Sequence, residues 1–204
     1  MRFQVLVDDT PRRAELILGT ASDLREISHW RAPATIRGQP AVRDTIEFAR
    51  LASKRHRRYL RSIPTATSMA EFQAIIRENY QAEIALLLVV RAPWFQRSPI
   101  LGLAQSRRTY CHHLVLEFLS VHPAIVGKLS PRVAGVGHGL LCGLAELAGA
   151  LGLKLIWGEA TAYSAPFYSH ILATPGIQDH FFIRGETLDR CRRQFREKLF
   201  GRLD

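Results

Sequence analysis

Acidic residues are in short supply in this chain: 18 Asp and Glu stand against 28 Lys and Arg in 204 residues, a net charge of +10. A surplus of that size points to anionic partners, whether a phosphorylated cofactor, nucleic acid, an acidic carrier protein or a membrane surface. The cations are spread over both halves of the chain, so charge alone does not choose among these. Cysteine is scarcer still. Cys111, Cys142 and Cys191 are odd in number and widely spaced, which argues against a disulfide framework or a metal site and for reduced thiols in a cytoplasmic protein. Long hydrophobic runs are missing too. The longest uncharged apolar run before the glycine-rich middle is Ile84 to Val90, too short to span a bilayer, and the stretch from Val133 to Leu153 carries His138, Glu146 and many glycines. Met1 to Asp9 has a short apolar run broken by acids, unlike a signal peptide, so no membrane anchor is expected. Two phosphate-binding signatures are absent as well. No Gly-Lys-Ser/Thr follows a glycine loop, and no G-x-G-x-x-G is followed by an acidic ribose ligand.

What is present suffices for one well-cored domain over residues 1–204: 23.1 kDa with 47% hydrophobic residues. Its centre is Arg132-Val133-Ala134-Gly135-Val136-Gly137-His138-Gly139. Upstream, His113 to Val121 is rich in β-branched, aromatic and leucine residues and short enough for a strand. Downstream, Leu140, Leu141, Leu144, Leu147, Ala148 and Leu151 repeat with the helical period. The glycines therefore lie between a strand and a helix, where backbone N–H groups can approach a ligand and the helix start adds unpaired donors and its positive dipole end. Such a site suits a pyrophosphate; tight packing of a buried helix is the structural alternative.

Taken in order, Phe3 to Val7 and Glu15 to Leu18 read as strands joined by a turn at Asp8 to Pro11, and Ser22 to Ile27 as a capped helical turn. Val42 to Ile63 reads as a helix carrying the basic run Lys54-Arg55-His56-Arg57-Arg58, stopped by Pro64. That run goes right round the helix instead of forming one stripe, so a solvated face is expected and a nucleic-acid site is not. Ser68 and Glu71 make a capping box for a helix to about Tyr80. Ile84 to Val90, Ile100 to Ala104 and His113 to Val121 form an antiparallel meander, with a turn at Arg107-Arg108. After the glycine helix, Lys154 to Ala160 returns as a strand, and strand, helix and strand in this order give one parallel pair. Ser164 and Pro166 open a short helix, in which Phe167 is expected to face the core and Tyr168 the splayed strands. His180 to Ile183 is a last strand, and Leu188, Cys191, Phe195 and Leu199 share one face of a basic amphipathic helix over residues 185–204.

Arg-x-x-Gly-x-Gly, from Arg132 to Gly137, resembles the acyl-CoA-binding motif of the GNAT superfamily of N-acyltransferases, and the order of elements is similar to that family's. Val121-His122-Pro123 looks like its strand exit and Phe167-Tyr168 its Phe-Tyr helix. The match is good over roughly half the chain, from Ile84 to Leu172, within a core of residues 81–184, and weak over residues 1–80. The chain departs from the pattern in the eight residues Ala124 to Pro131 before the loop, in Thr161 where Asn is frequent, in Leu172 or Ala173 where Gly is usual, and in one strand and a helix where two closing strands are expected.

The resemblance implies an α/β (α+β sandwich) fold. Its mixed, mostly antiparallel central sheet has one splayed parallel strand pair and helices on both faces. It implies acetyl-CoA or another acyl-CoA as co-substrate, an amine acceptor, no metal, and a chain that can stand as a homodimer. The phosphates would go to backbone N–H groups of Val133, Ala134, Gly135, Val136, Gly137, His138 and Gly139, with Arg132 as a side-chain partner, and backbone at Leu119 and Val121 would hold the acyl and pantetheine amides. Tyr168 would be the general acid toward the leaving thiolate, or else a packed aromatic. Glu117 is the candidate base, because a carboxylate in an apolar strand must be satisfied by something; a structural ion pair would also satisfy it. Glu159 and His122 are alternative bases. Two further readings stay open: a basic, non-catalytic protein that keeps the fold for nucleic acid or an acidic partner, and an acyltransferase fed by acyl carrier protein.

Overall fold

In the computed structural model, which describes residues 1–197, Asp8 and Asp9 both take positive φ (45° and 63°) and close a two-residue turn. Short Asp side chains tolerate that conformation and its twist suits a tight hairpin. It joins β1 (Arg2–Val7) to β2 (Thr10–Leu18), so β2 begins at Thr10 and not at Glu15 as expected from the turn-rich sequence. Two helices follow, α1 (Ala21–Ser28) and α2 (Pro40–Tyr59). Pro40 opens α2 at its first turn, where a missing N–H costs little. The helix ends at Tyr59 instead of Ile63 because the chain tightens into successive turns through Leu60 and Ser62.

A two-residue strand β3 (Thr65–Ala66) and helix α3 (Met69–Glu78) lead into the meander. Ser68 caps α3 by accepting from the Glu71 N–H at 3.1 Å, the expected device. The meander is β4 (Ile84–Arg91), β5 (Ile100–Arg108) and β6 (Leu114–Val121). Here β5 runs four residues past Ala104, and Arg107-Arg108 are strand, not turn. Each guanidinium has local partners: Arg108 donates to the carbonyls of Ala82 (2.6 Å) and Tyr80 (2.7 Å), and Arg107 pairs with Glu83. A buried arginine is tolerated only when paired in this way.

After α4 (Pro123–Val126) and the two-residue β7 (Val133–Ala134) comes α5 (Val136–Ala150), then β8 (Leu155–Glu159), α6 (Ala165–Ile171), β9 (His180–Arg184) and α7 (Gly185–Glu197). The strands form one sheet in the order β7-β1-β2-β4-β5-β6-β8-β9, with β3 beside β4. Neighbours are antiparallel except β6 with β8 and the short contact of β3 with β4. Helices α3, α5 and α7 pack their apolar residues into one core with Phe3, Leu16, Leu86, Leu116 and Ile156, while α1 and α2 cover the other face at Leu87, Val89 and Leu103. Because α5 is enclosed between sheet and α7, it is apolar nearly all round. On α7, Leu188, Cys191 and Phe195 are buried as expected; Leu199 lies outside the described residues. The result is the expected α/β architecture, a mixed and mostly antiparallel sheet with one parallel pair at β6 and β8, helices on both faces, and the N-terminal strands included in the same sheet.

Candidate active site

The site begins with a slip in register. Along β6 the pairing with β5 goes from Ser106↔Leu116 to Gln105↔Phe118, leaving Glu117 as one extra residue. A bulge of this kind puts two successive side chains on one face. Glu117 and Phe118 both turn to α2, where they meet Tyr59 and Phe48. Leu119 and Val121 return to the α5 side. Pairing between β6 and β8 stops at Leu116↔Gly158, and past that point the two strands part. The His122 N–H bonds back to the Leu101 carbonyl at 2.8 Å. By the strand's period of two, the N–H and C=O groups of Leu119 and Val121 then point away from β5, into the gap.

A cavity of about 260 Å³ fills the gap, lined among others by Leu119, Val121, Gly135, Gly137, Phe167 and Tyr168. Its floor is the start of α5. Gly135 caps that helix with φ +90°, a left-handed conformation that suits glycine, and has no side chain to occupy the first-turn donors. The Gly139 N–H closes the first helical bond, to Gly135 O at 2.8 Å. The N–H groups of Val136 and Gly137 meet no acceptor among the described residues. Open donors and the positive end of the helix dipole are together of the kind that suits an anion.

The other glycine-loop residues divide between ligand space and framework. A Cβ at Gly137 would stand 3.1 Å from the Phe167 ring, beside the cavity. One at Gly139 would collide with Phe3 at 2.3 Å, so that glycine serves packing. Val133 and Ala134 run beside Val7 and Leu6. The His138 ring turns to α7, with Nε2 3.3 Å from Gln194 Oε1, and burial lowers its pKa. Asp8 clamps Arg132: the Asp8 N–H donates to the Arg132 carbonyl at 2.9 Å, and the Arg132 N–H to Asp8 Oδ1 at 2.9 Å. Arg132 is exposed and lines, with Lys128, an adjoining recess of about 490 Å³ whose lining also includes Asp8 and Asp9. Residues 124–131 supply most of α4, and two of them, Ile125 and Lys128, line that recess.

On α6 the two aromatics sit the other way round from the expectation. Phe167 is half-buried at the cavity wall, and Tyr168 is 5% exposed, stacked on Phe181 with ring centroids 4.0 Å apart. The Ser164 hydroxyl accepts from the Thr161 N–H at 2.8 Å and gives α6 no side-chain cap, and the face of α6 that is buried carries Ala165, Tyr168 and Ile171 at helical spacing. Tyr168 still lines the cavity, and no hydrogen bond to its hydroxyl occurs among the described residues. Burial pushes its pKa up, so it holds its proton.

Glu117, expected to line the splay, stands outside the cavity. Tyr59 donates to its Oε1 at 2.5 Å, and Arg55 and Arg107 lie at 3.5 and 3.6 Å. This is the ion-pair alternative. Burial, then the bond to Glu117, raises the Tyr59 pKa. His122 is also on the far side, against Trp30 and Phe95. Its Nδ1 accepts from the Ala124 N–H at 3.2 Å, and burial, with Arg97 nearby, drives its pKa down to about 4. Glu159 is exposed at the end of β8. No group of His, Cys, Asp and Glu that could hold a metal occurs among the described residues.

Two residues that sequence reasoning missed come from α2. The Thr45 hydroxyl donates to the Val121 carbonyl at 2.7 Å, and its oxygen accepts from the Val121 N–H at 3.2 Å, so a side chain fills the place of a neighbouring strand. Ser120 donates to the Thr45 carbonyl at 3.0 Å. Asp44, next along, lines the cavity. No local signal marks either residue, since both partners of Thr45 lie 75 or 76 positions away.

No protein-family model matches the sequence, and no curated protein matches it. Solved structures are similar in shape. One is the PaiA N-acetyltransferase of Thermoplasma acidophilum in complex with coenzyme A, at 13% identity over 84% of this chain and 99% of that one, TM-score 0.49. Another is a GNAT-family acetyltransferase of Staphylococcus aureus Mu50, at 10% identity over 83% and 97%, TM-score 0.46. An N-acetyltransferase from the same strain matches at 15% identity over 76% and 78%, TM-score 0.41.

Proposed function

We propose that the chain is an acyl-CoA-dependent N-acyltransferase, with acetyl-CoA as donor and an amine as acceptor. The observation that carries this reading is one cavity lined by Val136 and Gly137, whose N–H groups are open, by Leu119, where β6 has lost its β8 partner, and by Tyr168. The pyrophosphate sits on the α5 start, with Arg132 and Lys128 beyond it, and the pantetheine arm runs along β6. An amine lone pair attacks the thioester carbonyl carbon, the C–S bond breaks, and the departing thiolate takes the Tyr168 proton; the amine's surplus proton leaves to water. A buried tyrosine with a raised pKa suits that donor, since it stays protonated at neutral pH. Titrating the protein with acetyl-CoA in a calorimeter, then assaying free thiol release with a panel of amines, tests the reading. Absence of heat with acetyl-CoA and with longer acyl-CoAs would overturn it.

A further inference from the structure

We propose that Asp44 recognises the acceptor, and that the acceptor is a primary amine on an apolar body which binds as its ammonium and gives one proton to water before its lone pair attacks. The inference rests on the acyl-transfer reading, which gives an amine its place in this cavity. Asp44 is half-buried, lines the same cavity as Gly137 and Tyr168, and forms no ion pair or hydrogen bond among the described residues. Every other side chain around that cavity is uncharged, and Phe48, Leu119, Phe167 and Tyr163 make its walls apolar and aromatic. In a chain with ten more cations than anions, a carboxylate that none of the described cations pairs with is the group at such a site that would attract a cationic ligand.

Its position is fixed by its neighbour. Thr45 is held by both backbone groups of Val121 and by Ser120, so α2 carries Asp44 at a set height over the splayed end of β6. A carboxylate in partly apolar surroundings attracts an ammonium more strongly than it would in water, and aromatic faces add to that attraction. The cofactor offers Asp44 nothing. The pantetheine arm is neutral and the phosphates are anionic, which leaves the acceptor as the group that the carboxylate serves.

The test uses 2-phenylethylamine, a cation at pH 7, and its neutral isostere 2-phenylethanol, with binding read by ligand-observed NMR on the full chain, with and without CoA. The parent should prefer the amine by at least about tenfold, the size of one modest charge-assisted contact. Asp44→Asn and Asp44→Ser should lose the preference with the alcohol's affinity unchanged, and Asp44→Glu should retain part of it. Alcohol binding also reports that each variant is folded. A parent without the preference, or an Asn variant that keeps it, overturns the proposal. Acetyl-CoA affinity, measured on the same samples, reports separately on the acyl-transfer reading, because the amine preference is read without CoA as well.

Discussion

Under α5 the sheet presents Phe3, Leu16, Leu86, Leu116 and Ile156 to Leu140, Leu141 and Leu144. Under α2 it presents Gln105, Glu117 and Ser120, each bonded to the helix: Gln105 Oε1 accepts from His56 Nδ1 at 2.8 Å, Glu117 from Tyr59, and Ser120 donates to Thr45. The first face is held by shape and apolar burial, which tolerates small shifts of a helix. The second is held by directional pairs, which fix a helix in one place. The cavity lies where they meet, with its anion-binding donors from the α5 side and Thr45 and Asp44 from the α2 side. The acyl-transfer reading asks this site to grip a long cofactor and orient a small acceptor, and the two kinds of wall suit those two tasks.

The sharpest way to break this contrast is Gly137→Glu. A carboxylate beside the α5 start would repel the pyrophosphate and cover its donors, so CoA affinity should fall by roughly a hundredfold or more. Because a Cβ at this position would meet only side chains, the tip of the Phe167 ring at 3.1 Å and Val121 Cγ2 at 3.7 Å, the melting temperature should move little. CoA binding that survives in a folded variant sinks the assignment of the glycine loop.

The acid sensitivity of the α2 side comes next. His122 and His56 are buried and their pKa values are lowered, His122 to about 4. A histidine depressed in the folded state stabilises the fold above its unfolded pKa of about 6.5, and that contribution fades as pH falls toward 4. His122 alone should account for about 3 kcal/mol between pH 7 and 4, at about 1.4 kcal/mol per unit. His122→Asn keeps a side-chain acceptor for the Ala124 N–H, and should flatten the dependence of unfolding free energy on pH. A variant with the parent's slope would place the acid sensitivity elsewhere, with His138 on the α5 side the first group to examine.

Tyr168→Phe belongs to the α5 side. It leaves the stack on Phe181 in place and removes one proton donor, so kcat should drop by roughly 10²-fold with acyl-CoA affinity unchanged. Since burial raises the Tyr168 pKa, the parent's rate should show no alkaline fall at the usual tyrosine range near 10. Equal turnover at every pH would make Tyr168 a packing residue.

The smallest effect is expected at Glu117→Gln. Gln keeps an acceptor for Tyr59 but leaves Arg55 and Arg107 without their shared counter-charge, at a cost of about 1–3 kcal/mol in stability. CoA affinity should not change, and a loss of turnover without a loss of stability would return Glu117 to the role of base.

The two faces also differ in how far they could be read from sequence. The α5 side was legible because its signals are local: the period of Leu140 to Leu151, the glycines before it, and the strand before those. Even there, the sequence did not separate Gly139, which makes room for Phe3, from Gly137, which borders the cavity. On the α2 side Glu117 was conspicuous as a carboxylate among apolar residues, yet Tyr59 lies 58 positions away, and only the fold shows that the carboxylate is already engaged. Nothing in the sequence singles out Asp44, because an Asp in the first turns of a helix is ordinary. The ends of β5 and α2 were misplaced for a related reason: Arg107, Arg108 and Leu60 follow tertiary partners and tight turns that override local propensity.

The extra residue at Glu117 works like a half-period phase shift in a wave. Upstream of it, Leu114 and Leu116 face α5; without it, the same alternation would carry Phe118 and Ser120 to the cavity and turn Leu119 and Val121 away. Deleting one residue there would therefore exchange the two sides of the strand's last third all at once. The apolar wall of the groove would become a phenylalanine and a serine, and Thr45 would lose the backbone it holds. A sequence of this fold that is one residue shorter in this strand should thus differ in what it binds more than any single substitution in the cavity would suggest.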